Sequence, residues 1–139
     1  VVLAEDHPAM ATELHELLIS DYDIVEIAHD GVALIDATRR ALPDAIVCDI
    51  AMPRVNGLAA AASILATRPD ARIVFVTVQD SRAVIKKALD CGARGYVLKS
   101  DAGNELVAAV RTALEGGFYL SANARRILRM TARPTPKDE

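Results

Sequence analysis

Five short apolar runs, each followed by a longer amphipathic stretch, leave this chain few folds to choose from. Residues 1–4, 24–28, 45–48, 72–77 and 95–98 read as strands, and residues 8–20, 31–41, 58–67, 81–91 and 101–115 as helices. Met10, Leu14, Leu17 and Leu18 fall on one face of the first helix, behind Pro8 at its start. Asp30 is placed to cap the second helix, whose Leu34, Ile35 and Ala37 point inward. Pro43-Asp44, Pro69-Asp70, Gly92 and Gly116-Gly117 punctuate the pattern. Ile73, Val74, Phe75 and Val76 form an unbroken apolar run, as expected of a strand covered on both faces. Strict alternation of strand and helix predicts an α/β fold with a parallel sheet between two helical layers. Right-handed crossovers then favour a flavodoxin-like (βα)5 doubly wound sheet of strand order 2-1-3-4-5.

The chain has 139 residues, enough for one well-cored domain. Trp is absent and aromatics are scarce, so Ala, Val, Ile and Leu must build the core. No apolar run approaches the roughly 18 residues of a membrane span. No secretory leader is visible; the chain opens on an apolar run without Met, and a few native residues are expected to be missing before it. Cys48 and Cys91 fit neither a metal spacing nor a disulfide framework, which points to a reducing cytoplasm. Residues 1–117 hold 11 basic and 17 acidic residues, a net of −6, whereas 118–139 hold 5 and 2, a net of +3. The acidic body is no nucleic-acid binder by itself. Residues 118–139 read as a separate region, with a short helix over 121–130 and a polar, proline-containing end.

Ligands in an open α/β sheet bind beyond the carboxyl ends of the strands, where the strand order reverses. The first strand exits into Glu5-Asp6, the third at Asp49, the fourth at Thr77 and the fifth at Lys99. Three carboxylates, a hydroxyl and an ammonium therefore share one edge. Two like charges about 4 Å apart repel by roughly 4 kcal/mol at an effective dielectric near 20. A hard divalent cation relieves that repulsion, and Mg²⁺ suits an oxygen-donor site that also meets phosphate. With the cation in place, Lys99 and Thr77 can serve phosphoryl oxygens. A carboxylate, already ionised at neutral pH, can then attack phosphorus without a general base.

The sequence resembles the receiver domains of bacterial response regulators. The resemblance rests on Ala4-Glu5-Asp6-His7-Pro8, on Asp49-Ile50-Ala51-Met52-Pro53 with Gly57, on Val76-Thr77, and on the run from Gly92 to Ser100. It covers residues 1–117 in order and spacing, leaving 118–139 as a linker toward a DNA-binding domain absent from this chain. Within the family, Glu-Asp-His-Pro, Leu-Lys-Ser and the run Gly117-Phe118-Tyr119-Leu120-Ser121 are most similar to the NarL/FixJ group of transcription regulators, which carry a LuxR-type helix-turn-helix domain.

The resemblance implies Asp49 as phospho-acceptor. It implies Mg²⁺ held by Asp6, Asp49 and the backbone carbonyl of Ala51, with Glu5 acting through water. It implies Lys99 and Thr77 as phosphoryl-binding residues, and Thr77 with Tyr96 as a switch pair. A histidine kinase would supply the phosphoryl group, a homodimer would form on phosphorylation, and DNA would be contacted only through the absent domain. The chain would be a signalling switch that assists its own phosphorylation and dephosphorylation. The alternative is a stand-alone receiver that binds a protein partner when phosphorylated. An aspartate-nucleophile phosphatase would need a second carboxylate two residues after the nucleophile, where Ala51 stands. Val78, Ala51 and Gln79 occupy positions that bear on access to the acyl phosphate and on its lifetime. His7 reads as a loop histidine beside the acidic pair.

Overall fold

Successive side chains of a strand point to opposite faces of a sheet, and this chain fills both faces with aliphatic groups. The structure, a computed structural model, describes residues 1–132, with side chains through Arg129. Its strands are β1 (Val2–Ala4), β2 (Glu26–Ala28), β3 (Ile46–Cys48), β4 (Ile73–Thr77), β5 (Gly95–Leu98) and β6 (Tyr119–Leu120). Its helices are α1 (Pro8–Leu18), α2 (Gly31–Ala41), α3 (Gly57–Thr67), α4 (Arg82–Asp90), α5 (Ala102–Leu114) and α6 (Ala122–Ala132). The sheet order is β2-β1-β3-β4-β5-β6, and every pairing is parallel.

The expected five-stranded arrangement is present, and β6 extends it. Tyr119 and Ser121 donate their backbone N–H groups to the carbonyls of Arg94 and Tyr96, adding a short parallel strand beside β5. Two residues carry too weak a periodic signal to be seen in sequence, and the pairing with β5 makes them a strand. The helix expected over 121–130 is α6, at Ala122–Ala132. The polar end at 133–139 lies outside the described residues.

Val2, Ala4, Ile46, Cys48, Ile73, Phe75 and Tyr96 face one layer of helices, with Leu34 and Ala37 of α2, Ala60, Ala61 and Ile64 of α3, and Ile85 and Ala88 of α4. Leu3, Val47, Val74, Val76 and Val97 face the other, against Leu14 and Leu18 of α1 and Leu106, Ala109, Val110 and Ala113 of α5. Small alanines let the helices approach the sheet closely, which is how a core nearly free of aromatics reaches interior packing density. Asp30, Asn56 and Ser81 cap α2, α3 and α4 by accepting N–H bonds from residues three positions on. With both faces sealed, the open polar ground lies at the sheet edges, and the carboxyl ends of β1, β3, β4 and β5 share one of them.

Candidate phospho-acceptor site

Chain reversals after β1, β3 and β5 deliver the charged residues of this edge. Glu5 continues β1, its N–H donating to the Ala28 carbonyl at 2.9 Å. Asp49 continues β3, its N–H donating to Ala4 O at 3.0 Å. Lys99 opens a single 3-10 turn, Lys99–Asp101, between β5 and α5. These backbone bonds hold the side chains in register before any ligand arrives.

The Lys99 ammonium stands 2.8 Å from Glu5 Oε1 and 2.9 Å from Asp49 Oδ2. Glu5 is fully buried, Asp49 nearly so, and the lysine side chain is 10% exposed. Burial works against the ammonium, but bonds to Glu5 and Asp49 outweigh it, and the Lys99 pKa is raised from its ordinary value. Asp49 Oδ1 accepts the N–H of Ile50 at 2.6 Å, which fixes the carboxylate plane. Gly57 closes against this loop: its N–H donates to Ile50 O at 2.7 Å, and a Cβ there would collide with the Asp49 carbonyl oxygen.

Asp6 does not cap α1; the cap position is His7, which makes no side-chain cap bond. Asp6 Oδ1 is buried without a hydrogen-bond partner, although it lies 3.3 Å from His7 Nδ1. Glu5 Oε2 accepts the His7 N–H at 3.1 Å and lies 3.2 Å from the same Nδ1. Glu5, Asp6 and His7 thus place three donor atoms within 4.8 Å of one another. Two carboxylates, one with an orphaned buried oxygen, fit a hard divalent cation such as Mg²⁺. His7, read from the sequence as a loop histidine beside the acidic pair, has its side chain 71% exposed there.

Thr77 and Tyr96 form a second group joined through Gln79. Thr77 Oγ1 accepts the Gln79 N–H at 3.3 Å, and the Tyr96 hydroxyl donates to Gln79 O at 2.7 Å. Both residues are fully buried, with the Tyr96 ring 6.4 Å from that of Phe75. Burial, chiefly, together with the charge of Asp49, raises the Tyr96 pKa well above its ordinary value. Val78 is exposed and lines a cleft of about 220 Å³ together with Lys99 and Ser100. Ala51 lies exposed on the loop two residues beyond Asp49.

Comparison with known proteins gives a consistent result. Residues 1–111 match the family model described as response regulator receiver domain. The chain is 32% identical over 123 residues to the oxygen regulatory protein NreC of Staphylococcus carnosus, covering 86% of this chain and 57% of that protein. It is 34% identical over 125 residues to the transcriptional regulatory protein MctR of Rhizobium johnstonii, covering 88% and 58%. The chain therefore spans less than two thirds of these relatives. Among solved structures, a LuxR-family two-component response regulator from Aurantimonas sp. SI85-9A1 superposes with a TM-score of 0.90 at 30% identity, covering 95% of this chain and 96% of that one. The signal receiver domain of a NarL regulator from Mycobacterium tuberculosis superposes at 0.79 and 29% identity, covering 83% and 94%.

Proposed function

Because the chain belongs to the response regulator receiver domain family, in its NarL/LuxR-type branch, we propose that Asp49 accepts a phosphoryl group from a histidine kinase and that this controls a C-terminal helix-turn-helix domain outside the chain. The observation that carries the reading is the Lys99 ammonium held between Glu5 and Asp49. It joins residues from three strand exits into one charged site, as phosphoryl transfer to a carboxylate requires.

Asp49 supplies the nucleophile. One carboxylate oxygen bonds to phosphorus as the bond from phosphorus to the kinase imidazole nitrogen breaks, and that nitrogen keeps the electron pair. Charge neutralisation and positioning do most of the work in such transfers. Lys99 leaves its ion pairs for a phosphoryl oxygen, a charge-assisted bond stronger than a neutral one. The Thr77 hydroxyl, now turned to Gln79, donates to another, and Tyr96 follows the freed space as its switch partner. Asp6, Asp49 and the Ala51 carbonyl would hold Mg²⁺, with Glu5 acting through water. The buried Asp6 oxygen without a partner supports this assignment, and His7 adds a nearby nitrogen donor. When bound, the cation offsets the negative charge that gathers as phosphate meets carboxylate.

The domain acts as a signalling switch, assisting its own phosphorylation and hydrolysis rather than turning over an external substrate. Its setting is the cytoplasm, where the kinase domain and DNA are reached, and phosphorylation promotes a homodimer. Among the described residues, no helix is long and apolar enough to cross a membrane. Intact-mass measurement after incubation with acetyl phosphate and Mg²⁺ tests the core of this reading. The expected result is one added phosphoryl group on the wild type and none on Asp49→Asn; labelling of the variant at an unchanged level overturns it.

A further inference from the structure

The first turn of α6 is bonded on both sides of Lys99. One residue before it, Leu98 donates its N–H to Ser121 Oγ at 3.1 Å, and the Ser121 N–H donates to Tyr96 O at 3.0 Å. Two residues after it, the Asp101 carboxylate accepts the backbone N–H of Asn123 at 3.0 Å and its side-chain amide at 2.7 Å. Ser121 is fully buried and Asp101 is 8% exposed, so the Leu98–Ser121 bond is buried and the Asp101–Asn123 bonds are half-buried. A second carboxylate, Glu105 of α5, accepts the Ala122 N–H at 3.1 Å and the Tyr119 hydroxyl at 2.7 Å. Helix N-termini carry unpaired N–H groups and a partial positive charge, so two carboxylates here fix the start of α6.

Among the described side chains, the apolar hold on α6 is thinner. Ala124 is fully buried, whereas Ile127 and Leu128 are only partly buried against the core, and the helix lies against α4 and β5. An element attached by few apolar contacts opens at less free energy than the core strands do. The polar bonds around Ser121, Asp101 and Glu105 therefore contribute to its attachment.

From this arrangement we propose that Ser121, Asn123 and Asp101 form a clasp coupling Lys99 to α6, so that phosphorylation of Asp49 loosens α6 and loosening of α6 eases phosphorylation. The inference rests on the reading of Asp49 as phospho-acceptor. In the structure the ammonium is satisfied by Glu5 and Asp49 while the clasp is satisfied by Asn123 and Ser121. When the ammonium turns to a phosphoryl oxygen, the turn that carries it shifts with the side chain. Lys99 and Asp101 share one 3-10 turn, so the displacement passes to the carboxylate two residues on. Tyr96 provides a second route, since its carbonyl holds the Ser121 N–H and its hydroxyl holds Gln79. Coupling between two sites is reciprocal, so a weakened clasp must favour the phosphorylated form by the same factor. Ser121 and Asn123 act through Lys99 and are positioning residues.

Hydrogen exchange on the 139-residue chain, with and without Mg²⁺ and beryllofluoride, reads the first direction. Amides at Ile50 and Gln79 report that the site is filled. The expected result is exchange over 122–129 faster by about fivefold or more in the filled state, the lower end of usual couplings. Asn123→Ala, at a partly exposed position, reads the second direction without endangering the fold; Ser121→Ala is the stronger variant. Each should speed α6 exchange in the free protein and tighten beryllofluoride binding, read by titration in Mg²⁺, by a similar factor. Filled-site signals at Ile50 and Gln79 with unchanged α6 exchange overturn the coupling and leave the phospho-acceptor reading intact. So does a loosened α6 in Asn123→Ala with an unaltered beryllofluoride affinity. Failure of beryllofluoride to perturb Ile50 and Gln79 overturns both.

Discussion

Lys99 reaches past the exits of two intervening strands, β4 and β3, to stand 2.8 Å from the fully buried carboxylate of Glu5 after β1. Asp49 lies along that path, 2.9 Å from the same ammonium. One cation therefore neutralises part of two buried negative charges, and its removal has an energetic consequence. Lys99→Met leaves both carboxylates without it, and losing one partner of a buried ion pair typically costs about 3–5 kcal/mol. Urea unfolding in the absence of divalent ions should show a loss of that order. Added Mg²⁺ should recover more stability in the variant than in the wild type, because a bound cation takes over the neutralising role. The folded-state pKa of Lys99 is raised, so its contribution is fully present below the unfolded value near 10.5 and fades as pH rises through the folded value. The gap between wild type and variant should therefore stay constant through neutral pH and close only in strong alkali.

Much of this arrangement is legible in the sequence because strand exits are. An apolar run followed by a charged residue marks where a buried strand meets solvent, and Glu5, Asp49 and Lys99 each stand at such a point. Parallel topology then brings these points together without further information. What the sequence withheld depends on side-chain reach or on short backbone pairing rather than on period. His7 meets Glu5 and Asp6 through its ring nitrogen, and β6 is too short to carry an alternation. The grip of Asp101 and Glu105 on α6 joins residues 17 to 22 positions apart through individual hydrogen bonds. Charge counting set 118–139 apart as a basic region, yet residues 119–128 add a strand and partly buried apolar side chains to the domain.

Gly57 tests how tightly the Asp49 loop is built. Its N–H bonds to Ile50 O, and an added methyl group would meet the Asp49 carbonyl oxygen and Ile50 Cα. That neighbour is backbone and cannot rotate away. Gly57→Ala should cost at least the roughly 1–3 kcal/mol typical of overpacking. Because the strain falls on the peptide that carries Asp49, acetyl phosphate labelling should slow under conditions where circular dichroism still reports a folded chain. A destabilised variant that labels at the wild-type rate would detach this glycine from the site.

The two thiols differ in depth, and their reactivity should differ with it. Cys48 is fully buried in β3, and its Sγ–H donates to Asp49 O at 3.0 Å. Burial, chiefly, with the charges of Asp49 and Glu5, raises its pKa far above the ordinary thiol value. Cys91 is partly exposed at the end of α4, and burial raises its pKa as well. The thiolate is the reactive form, so neither residue is activated. Iodoacetamide at neutral pH should modify Cys91 slowly and Cys48 only upon unfolding, as peptide mass mapping would report. Rapid alkylation of Cys48 in the native chain would contradict the sealed packing of β3.

Asp101 supplies an acid-side test of the attachment of α6. Burial opposes ionisation, but bonds from Ser121 and Asn123, together with the charge of Arg125, outweigh it, and the carboxyl pKa falls below its ordinary 3.8. A depressed folded-state pKa means stability that is fully present above the unfolded value and lost as pH falls through the folded one. Asp101→Asn keeps the shape but removes the charge and one acceptor, and hydrogen bonds to charged groups are worth about 1.5–3 kcal/mol. At neutral pH the variant should be less stable by roughly that amount, with the loss visible first as faster amide exchange over 122–129. As pH falls from the unfolded value near 3.8 through the lower folded one, the difference between the two proteins should shrink. A gap unchanged across that range would mean that the Asp101 charge does not hold α6, leaving Ser121 and Glu105 to anchor the helix.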